Sequence, residues 1–431
     1  MISVYALNIT SRHKYVFKYI FKTLLKTDYE LIENVESAKG KLLLNYSHQE
    51  IKDSLTIVPS GLLNQEKITR QEIQVIKWEE TKCFFVTGGD LPFDIFSASF
   101  YLLSRFEEYL PHINDKHGRF PAEQSLNYKN GFLESPVVEI WAQKLKTILL
   151  NYNSNLVFGK KDPKITATYD IDNAWAYKNK SFGVTIGGIY KAYRKFGFKE
   201  VWNRVKILLN KGDDPYDTYG YIDSSISSKN TNQIFFFLLG DRAEYDKNVS
   251  YKNKKLHSLI KELGEKAKIG IHPSYASNNS NSKTAIEMRR LEKIIGEGVF
   301  SSRQHFLKLS LPETYRKLIK CGIKNDYTMG FASKVGFRAG TSTPFYFYDL
   351  KREEETKLLV HPFAYMDGTL NEYMELSQEK AKLKIGELVT NVKNINGEFI
   401  FLWHNETLND KGNWEGWRGV YEYTLDKYYE N

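Results

Sequence analysis

The chain has 431 residues, more than one hydrophobic core usually serves, so two domains are the expectation. A hydrophobic fraction of 42% with 14% aromatics excludes a disordered chain, and a formal charge of +9 favours anionic partners without requiring one. With Cys83 and Cys321 as the only cysteines, far apart, neither a disulfide framework nor a cysteine zinc site is expected.

At the N-terminus, MISVYALNITSRHKYVFKYIFK is interrupted by Ser11, Arg12, His13 and Lys14 and lacks the apolar core and cleavage site of a secretory signal. No later run approaches the ~18 apolar residues of a membrane span, so a cytoplasmic location is expected. Runs at 41–46 (KLLLNY), 55–60 (LTIVPS) and 83–89 (CFFVTGG) predict buried strands. After Pro92, the residues Ile95, Ala98, Leu102 and Phe106 recur on one helical face. Together these runs predict a smaller α/β domain over 1–158. Gly88 and Gly89 fit a tight turn rather than a phosphate loop, since neither GxGxxG nor GxxxxGK is present. The loop at 112–125 gathers His112, Asp115, His117 and Arg119 without a ligand spacing, which suits a structural role or a contact between domains.

The polar break GKKDPK at 159–164 opens a second region, 159–431. Strand-like runs follow at 165–170, 233–240, 268–274, 299–307, 357–363 and 398–404, most of them separated by helix-like stretches. That repetition implies a parallel sheet or barrel, with chemistry at the carboxyl ends of its strands. One basic stretch, KAYRKFGFKEVWNRVKILLNK at 191–211, carries seven Lys or Arg against one Glu, interleaved with aromatics. It fits a solvated helix face, or a segment lying on anionic lipid or an acidic lipid-linked glycan. No nucleic-acid-binding module accompanies the charge, so no nucleic acid partner is expected.

Four strand ends carry groups that bind metals or move protons: Asp170 and Asp172 in ATYDIDNAW, His272 in GIHPS, His305 in SSRQHFL and His404 in FLWH. In an extended chain Asp170 and Asp172 share a face. Neighbouring carboxylates repel unless a cation or proton lies between them. A hydrolytic metal site uses one such acid as ligand and the other to take a proton from water. Exposed strand-end acids or a helix cap are the plainer alternatives. A DxD pair also fits a glycosyltransferase, where Mn²⁺ or Mg²⁺ bridges the acids and a diphosphate. In a phosphatase the first Asp is a nucleophile, although that pattern would want Thr or Val at Ala174.

The order TYDID, GIHPS, an arginine strand and FLWH resembles the polysaccharide deacetylases with a NodB-like homology domain, carbohydrate esterase family 4. The resemblance covers about 160–431 and is nearest to a divergent bacterial branch with an extra N-terminal domain. It implies a distorted (β/α) barrel and a metal-dependent hydrolase, most readily a Zn²⁺ enzyme. The implied reaction removes N- or O-acetyl groups from a carbohydrate in cell-surface polysaccharide biosynthesis. In the motif T-F-D-D the first Asp is the base and the second a ligand, which order-preserving assignment places at Asp170 and Asp172 with Ile171 inserted. In H-[ST]-x-x-H the first histidine falls on His272, and Ala276 stands where the second is expected. A catalytic zinc centre needs three protein ligands, and His305 is the candidate to complete it. Arg303 takes the part of the arginine that orients the base. Arg338, in GFRAGTSTPF, looks like the family's F-R-P-P-Y but comes one helix later and is assigned to substrate. Asp326 corresponds to the fourth-motif acid, Leu402 to the acetyl pocket and His404 to the group that protonates the leaving amine. The implied partner is an acetylated amino-sugar glycan, polymeric or lipid-linked. The missing second histidine keeps open a degenerate deacetylase that only binds glycan.

Overall fold

A computed structural model describes residues 1–430 except 39, 228 and 281. The first sheet is four-stranded and parallel, built from β1 (Ile2–Ala6), β2 (Tyr29–Ile32), β3 (Leu42–Tyr46) and β4 (Leu55–Thr56) in the order β2-β1-β3-β4. β1 was not among the expected strands, yet all five residues of ISVYA are buried. The run at 55–60 is a strand only over Leu55–Thr56; Ile57 adds a single bridge to Gly89, and Pro59 has no N–H to extend the pairing. The run at 83–89 supplies the end of an antiparallel hairpin, β5 (Ile76–Trp78) with β6 (Thr81–Cys83), and single bridges from Val86 to Phe93 and from Gly89 to Ile57. Phe85, at φ 60°, turns the chain out of extension.

The second sheet has nine strands: β7 (Lys164–Ile171), β8 (Asn232–Phe237), β9 (Lys268–Ile271), β10 (Ser301–Ser302), β11 (Asn325–Asp326), β12 (Phe345–Asp349), β13 (Glu354–Val360), β14 (Tyr365–Met366) and β15 (Glu398–His404). They run in the order β12-β13-β11-β10-β9-β8-β7-β15-β14, and every pair is parallel except β12 with β13. Period-two alternation divides the two faces. Ile165, Ala167, Tyr169 and Ile171 of β7 pack into the main apolar core. Thr166, Thr168 and Asp170 therefore turn to the inner face, in register with Ile400, Leu402 and His404 of β15. A second, smaller apolar cluster on that face joins Ile234, Phe236, Tyr327, Phe363, Ile400 and Leu402.

The expected α/β fold with a parallel sheet is present, and the distortion of the implied (β/α) barrel lies in how the sheet ends. Laid flat, the seven strand spacings from β13 to β14 would measure ~34 Å. The chain passes from Val360 to Tyr365 in five residue steps, which reach ~18 Å at most. The sheet must therefore curl strongly. Among the described residues, however, no ladder joins its two ends. Pro362 lies in the gap without an N–H; after it Phe363 N donates to Met329 O in a loop at 3.2 Å, and Ala364 N already donates to Ile400 O of β15 at 2.7 Å. The result is a curled, open, largely parallel α/β sheet. No helix among the described residues is long and apolar enough to cross a membrane.

Residues on both sides of Lys160 share the main core, and charged groups pin the two parts together. Arg12 forms a bidentate pair with Glu353 at 2.7 and 2.9 Å. Arg338, expected at the substrate, is instead spent on this junction. Its Nε and Nη2 donate to Glu108 at 2.8 and 2.6 Å, its Nη1 to Gly330 O at 3.0 Å, and its guanidinium lies 4.9 Å from the Phe331 ring. Burial would raise the Glu108 pKa, but Arg338 and Arg105 hold it below its ordinary value. Replacing Arg338 by Met leaves Glu108 with Arg105 alone in a dry site. The expected cost is about 3 kcal/mol, read as a lowered urea midpoint.

Candidate metal centre and its proton-transfer groups

Asp170 sits on the inner face of β7 and is 2% exposed. Arg303, the residue after β10, reaches it from across the sheet. Its Nη1 donates to Thr168 Oγ1 at 2.7 Å and to Asp170 Oδ1 at 3.1 Å, and its Nε donates to Tyr327 O at 2.9 Å. The guanidinium lies 4.9 Å from the Phe236 ring. Gly270 makes room for that ring, since a Cβ there would fall 2.5 Å from it. Burial lowers the Arg303 pKa while Asp170 opposes the change, and a guanidinium has margin enough to stay charged.

Asp172 follows β7 and His272 follows β9, each by one residue. His272 Nε2 lies 3.2 Å from Asp172 Oδ1 and 3.7 Å from Asp170 Oδ2, and His305 Nε2 lies 3.4 Å from Asp172 Oδ2. The second nitrogen of each ring is already committed, His272 Nδ1 to Arg303 O at 2.7 Å and His305 Nδ1 to Asp246 Oδ1 at 2.9 Å. A carbonyl or carboxylate oxygen only accepts, so Nδ1 carries the hydrogen in both rings. In their neutral forms both Nε2 atoms then present lone pairs to a carboxylate. Asp172 Oδ1 is enclosed and has no hydrogen-bond donor. Such an array is repulsive unless a cation occupies it. The three ligand atoms lie within 4.8 Å of one another, and one carboxylate with two imidazoles is a catalytic zinc donor set. The residues present fit a divalent ion.

Asp246, in the loop after β8, escaped sequence reasoning because nothing around it signals a ligand. It accepts from Tyr275 N at 2.8 Å and Ala276 N at 3.0 Å, so the segment that lacks the second motif histidine aims the acid that orients His305. In the absence of metal a proton fills the gap. Burial alone would lower the His305 pKa, but Asp172 and Asp246 push it up to about 9. Enclosure would raise that of Asp172, yet His305 and His272 hold it well below its ordinary value.

His404 ends β15 in register with Asp170. Its Nδ1 lies 2.9 and 3.1 Å from the two oxygens of Asp367, which also accepts from His404 N at 2.8 Å and from the Thr407 hydroxyl at 2.5 Å. Burial would lower the His404 pKa, but Asp367, followed by Asp172 and Asp170, raises it well above its ordinary value. The sequence showed Asp367 past a strand-like run but gave no sign that β14 pairs with β15. A cleft of about 280 Å³ exposes Asp170, Asp172, His272, His305 and His404 together. Leu307, Ala332 and Met366 form its apolar wall, with Leu402 in the same cluster behind them. Arg119 reaches this wall from the 112–125 loop and donates to Phe306 O at 2.8 Å and Asp115 Oδ2 at 2.7 Å.

Asp326 and Arg338 do not line this cleft. Asp326 is wholly buried behind β10 and accepts from Ser302 Oγ, Thr328 N and Thr328 Oγ1, each at 2.9 Å. It braces the ends of β10 and β11 without reaching the cleft. His361 is a packing residue, stacked 4.2 Å from Tyr327, with its pKa lowered to about 3 by burial.

A family described as of unknown function (DUF7033) matches residues 2–154. No curated protein matches the chain. Among solved structures, similarity is found to a presumptive polysaccharide deacetylase from Mycobacterium smegmatis, at 13% identity over 62% of this chain and 84% of that one, with a TM-score of 0.41. A polysaccharide deacetylase from Bacillus cereus is similar at 12% identity over 62% and 87% of the two chains, with a TM-score of 0.27. A third likeness is to a GH138 enzyme targeting pectin rhamnogalacturonan II. It is 9% identical over 99% of this chain and 63% of that one, with a TM-score of 0.25.

Competition against a chromophoric chelator should show uptake of a single Zn²⁺ that His272→Ala and His305→Ala each abolish. Asp246→Asn should weaken it by about 10- to 100-fold. The incoming ion displaces the His305 proton below about pH 9, so affinity should rise about tenfold per pH unit towards that value. In weakly buffered solution the proton released at neutral pH is the direct readout, and it should vanish in His305→Ala.

Proposed function

We propose that the protein is a metal-dependent hydrolase that removes N- or O-linked acetyl groups from a carbohydrate, in the making of a cell-surface polysaccharide. One observation carries this reading. Two histidine lone pairs converge with Asp172 at one side of a cleft, beside Asp170 held by Arg303 and His404 held by Asp367. A divalent ion bound to Asp172, His272 and His305, most readily Zn²⁺, would supply Lewis acidity to an acetyl carbonyl and lower the pKa of a water. Asp170, anchored through Oδ1, keeps Oδ2 for the proton of the attacking water. His404, a cation through Asp367, passes its Nε2 proton to the departing sugar nitrogen or oxygen. Leu307, Ala332 and Met366 suit the acetyl methyl. Acetate and a free amine or hydroxyl result.

Metal-assisted acyl hydrolysis is supported by the geometry, and the carbohydrate by the motif order. A pure binding module is less consistent with His305 lying where a third ligand is needed. Acetate release from an N-acetylated amino-sugar oligosaccharide tests the reading. Chelation should stop it and Zn²⁺ restore it, while Asp170→Asn and His404→Ala should each lower kcat by about 10²- to 10⁴-fold, measured at a temperature where circular dichroism shows each variant still folded. Because His404 acts as an acid, the rate should fall as pH rises through its elevated pKa, and Asp367→Asn should move that alkaline limb to lower pH. No acetate from any acetylated sugar, with consumption of a nucleotide sugar instead, would identify a DxD transferase and overturn the proposal.

A further inference from the structure

Between β7 and β8 the chain leaves the cleft and forms two short helices, Phe182–Phe196 and Phe198–Leu208, joined at Gly197. Their sequence is amphipathic, but the apolar face turns to solvent. Phe182, Ile186, Tyr190 and Tyr193 recur at helical spacing along the first helix, with Phe182 81% exposed. Phe198, Trp202 and Leu209 continue the stripe, at 76%, 60% and 61% exposure. The second helix has no buried residue, and the first has only Ala192. Helices this short are marginal in water unless an apolar face is covered. Contiguous exposed apolar surface on this scale marks a place of contact.

Charge decides what covers it. Lys191, Arg194, Lys195, Lys199 and Lys206 are exposed, and among the described residues none has a carboxylate within ion-pair reach. Only Arg204 is matched, to Glu200 at 3.0 Å. A stripe of Phe, Tyr and Trp flanked by uncompensated cations is the composition that seats in the headgroup layer of an anionic bilayer. A second copy of this chain would bring like charges together.

The roots of the hairpin lie at the cleft. Asn405, next to His404, donates to Asn173 O at 3.0 Å and to Tyr216 O at 2.8 Å, tying the outgoing and returning strands of the loop to the end of β15. Asp214 accepts from the backbone of Ala176, Tyr177 and Lys178 at 2.7, 2.8 and 2.9 Å, which fixes the take-off. Tyr216 itself lines the cleft. From this geometry we infer that residues 182–209 form an interfacial hairpin that docks on an anionic phospholipid surface and holds the mouth of the cleft against it. Substrates borne on lipid would then meet the site without leaving the membrane. Docking stands apart from the reaction, so it is tested without any measure of activity.

The test is co-sedimentation of the full chain with vesicles of equimolar phosphatidylglycerol and phosphatidylcholine, compared with phosphatidylcholine alone, at low and high salt. Binding should require the anionic lipid and weaken with salt. Trp202→Glu with Phe198→Glu should reduce it by tenfold or more, and Lys195→Gln and Lys199→Gln should each reduce it about fivefold. These side chains are exposed, so the melting temperature should not move. No sedimentation at low salt, or undiminished sedimentation of the double glutamate variant, would overturn the inference. So would a doubled mass in solution that the same variant returns to that of a monomer, since a second copy would then own this face.

Discussion

The structure turns on two carboxylates placed two residues apart at the end of a central strand. β7 is paired with β15 and β8 up to Asp170 and Ile171, so Asp170 is held on the inner face, and Asp172 follows immediately beyond the strand. Their mutual repulsion must be met by cations brought from elsewhere in the sheet. The sheet order supplies them: β10 places Arg303 against Asp170, while the ends of β9 and β10 bring His272 and His305 to Asp172. One acid is thereby given a permanent counter-charge and the other a donor set that a divalent ion would fit. In the proposed reaction that division separates a proton acceptor from a ligand without any difference in side-chain type.

A second carboxylate stands behind each histidine that faces solvent in the cleft. Asp246 fixes the ring of His305, and Asp367 fixes that of His404. The consequences differ because the surroundings differ. The free nitrogen of His305 meets Asp172 at the metal position, whereas His404 lies across the cleft where a leaving group would stand. In the proposed reaction the same acid–imidazole pair would orient a ligand in one place and charge a proton donor in the other.

The N-terminal 150 residues are structurally part of this machinery. Arg338 and Glu108, buried together, and Arg12 with Glu353 fix the first sheet's surroundings to the curled sheet. Through the 112–125 loop the same region adds Arg119 to the cleft wall and packs His117 5.0 Å from Phe306, next to His305. A mixed loop without ligand spacing has become a wall of the site. On the opposite rim, Asn405 joins the amphipathic hairpin to the strand end that carries His404, so both flanks of the cleft are built from segments outside the sheet.

Much of the site was legible in local sequence. Period-two alternation in KITATYDI is enough to place Asp170 and Asp172 on one face, and the strand-end positions of His272 and His404 are visible as the last residues of apolar runs. What failed depends on neighbours remote in sequence. Arg338 sits in a stretch that looks like a family motif, but Glu108, some 230 residues earlier, claims its guanidinium. Asp326 has a motif-like position, but its hydroxyl and amide partners seal it behind β10. Asp246 and Asp367 lie in loops whose local sequence carries no sign of the histidines they serve. The sequence by itself determined the long central strands β7, β8, β9 and β15, their faces and the donor types, because alternation and side-chain chemistry are properties of a few consecutive residues. Only the tertiary structure decided that Arg303 rather than Arg338 meets Asp170, that His305 lies beside Asp172 and His272, and that no ladder among the described residues joins the two ends of the sheet. Those outcomes depend on strand order and on which charges are left to compensate one another once water is excluded.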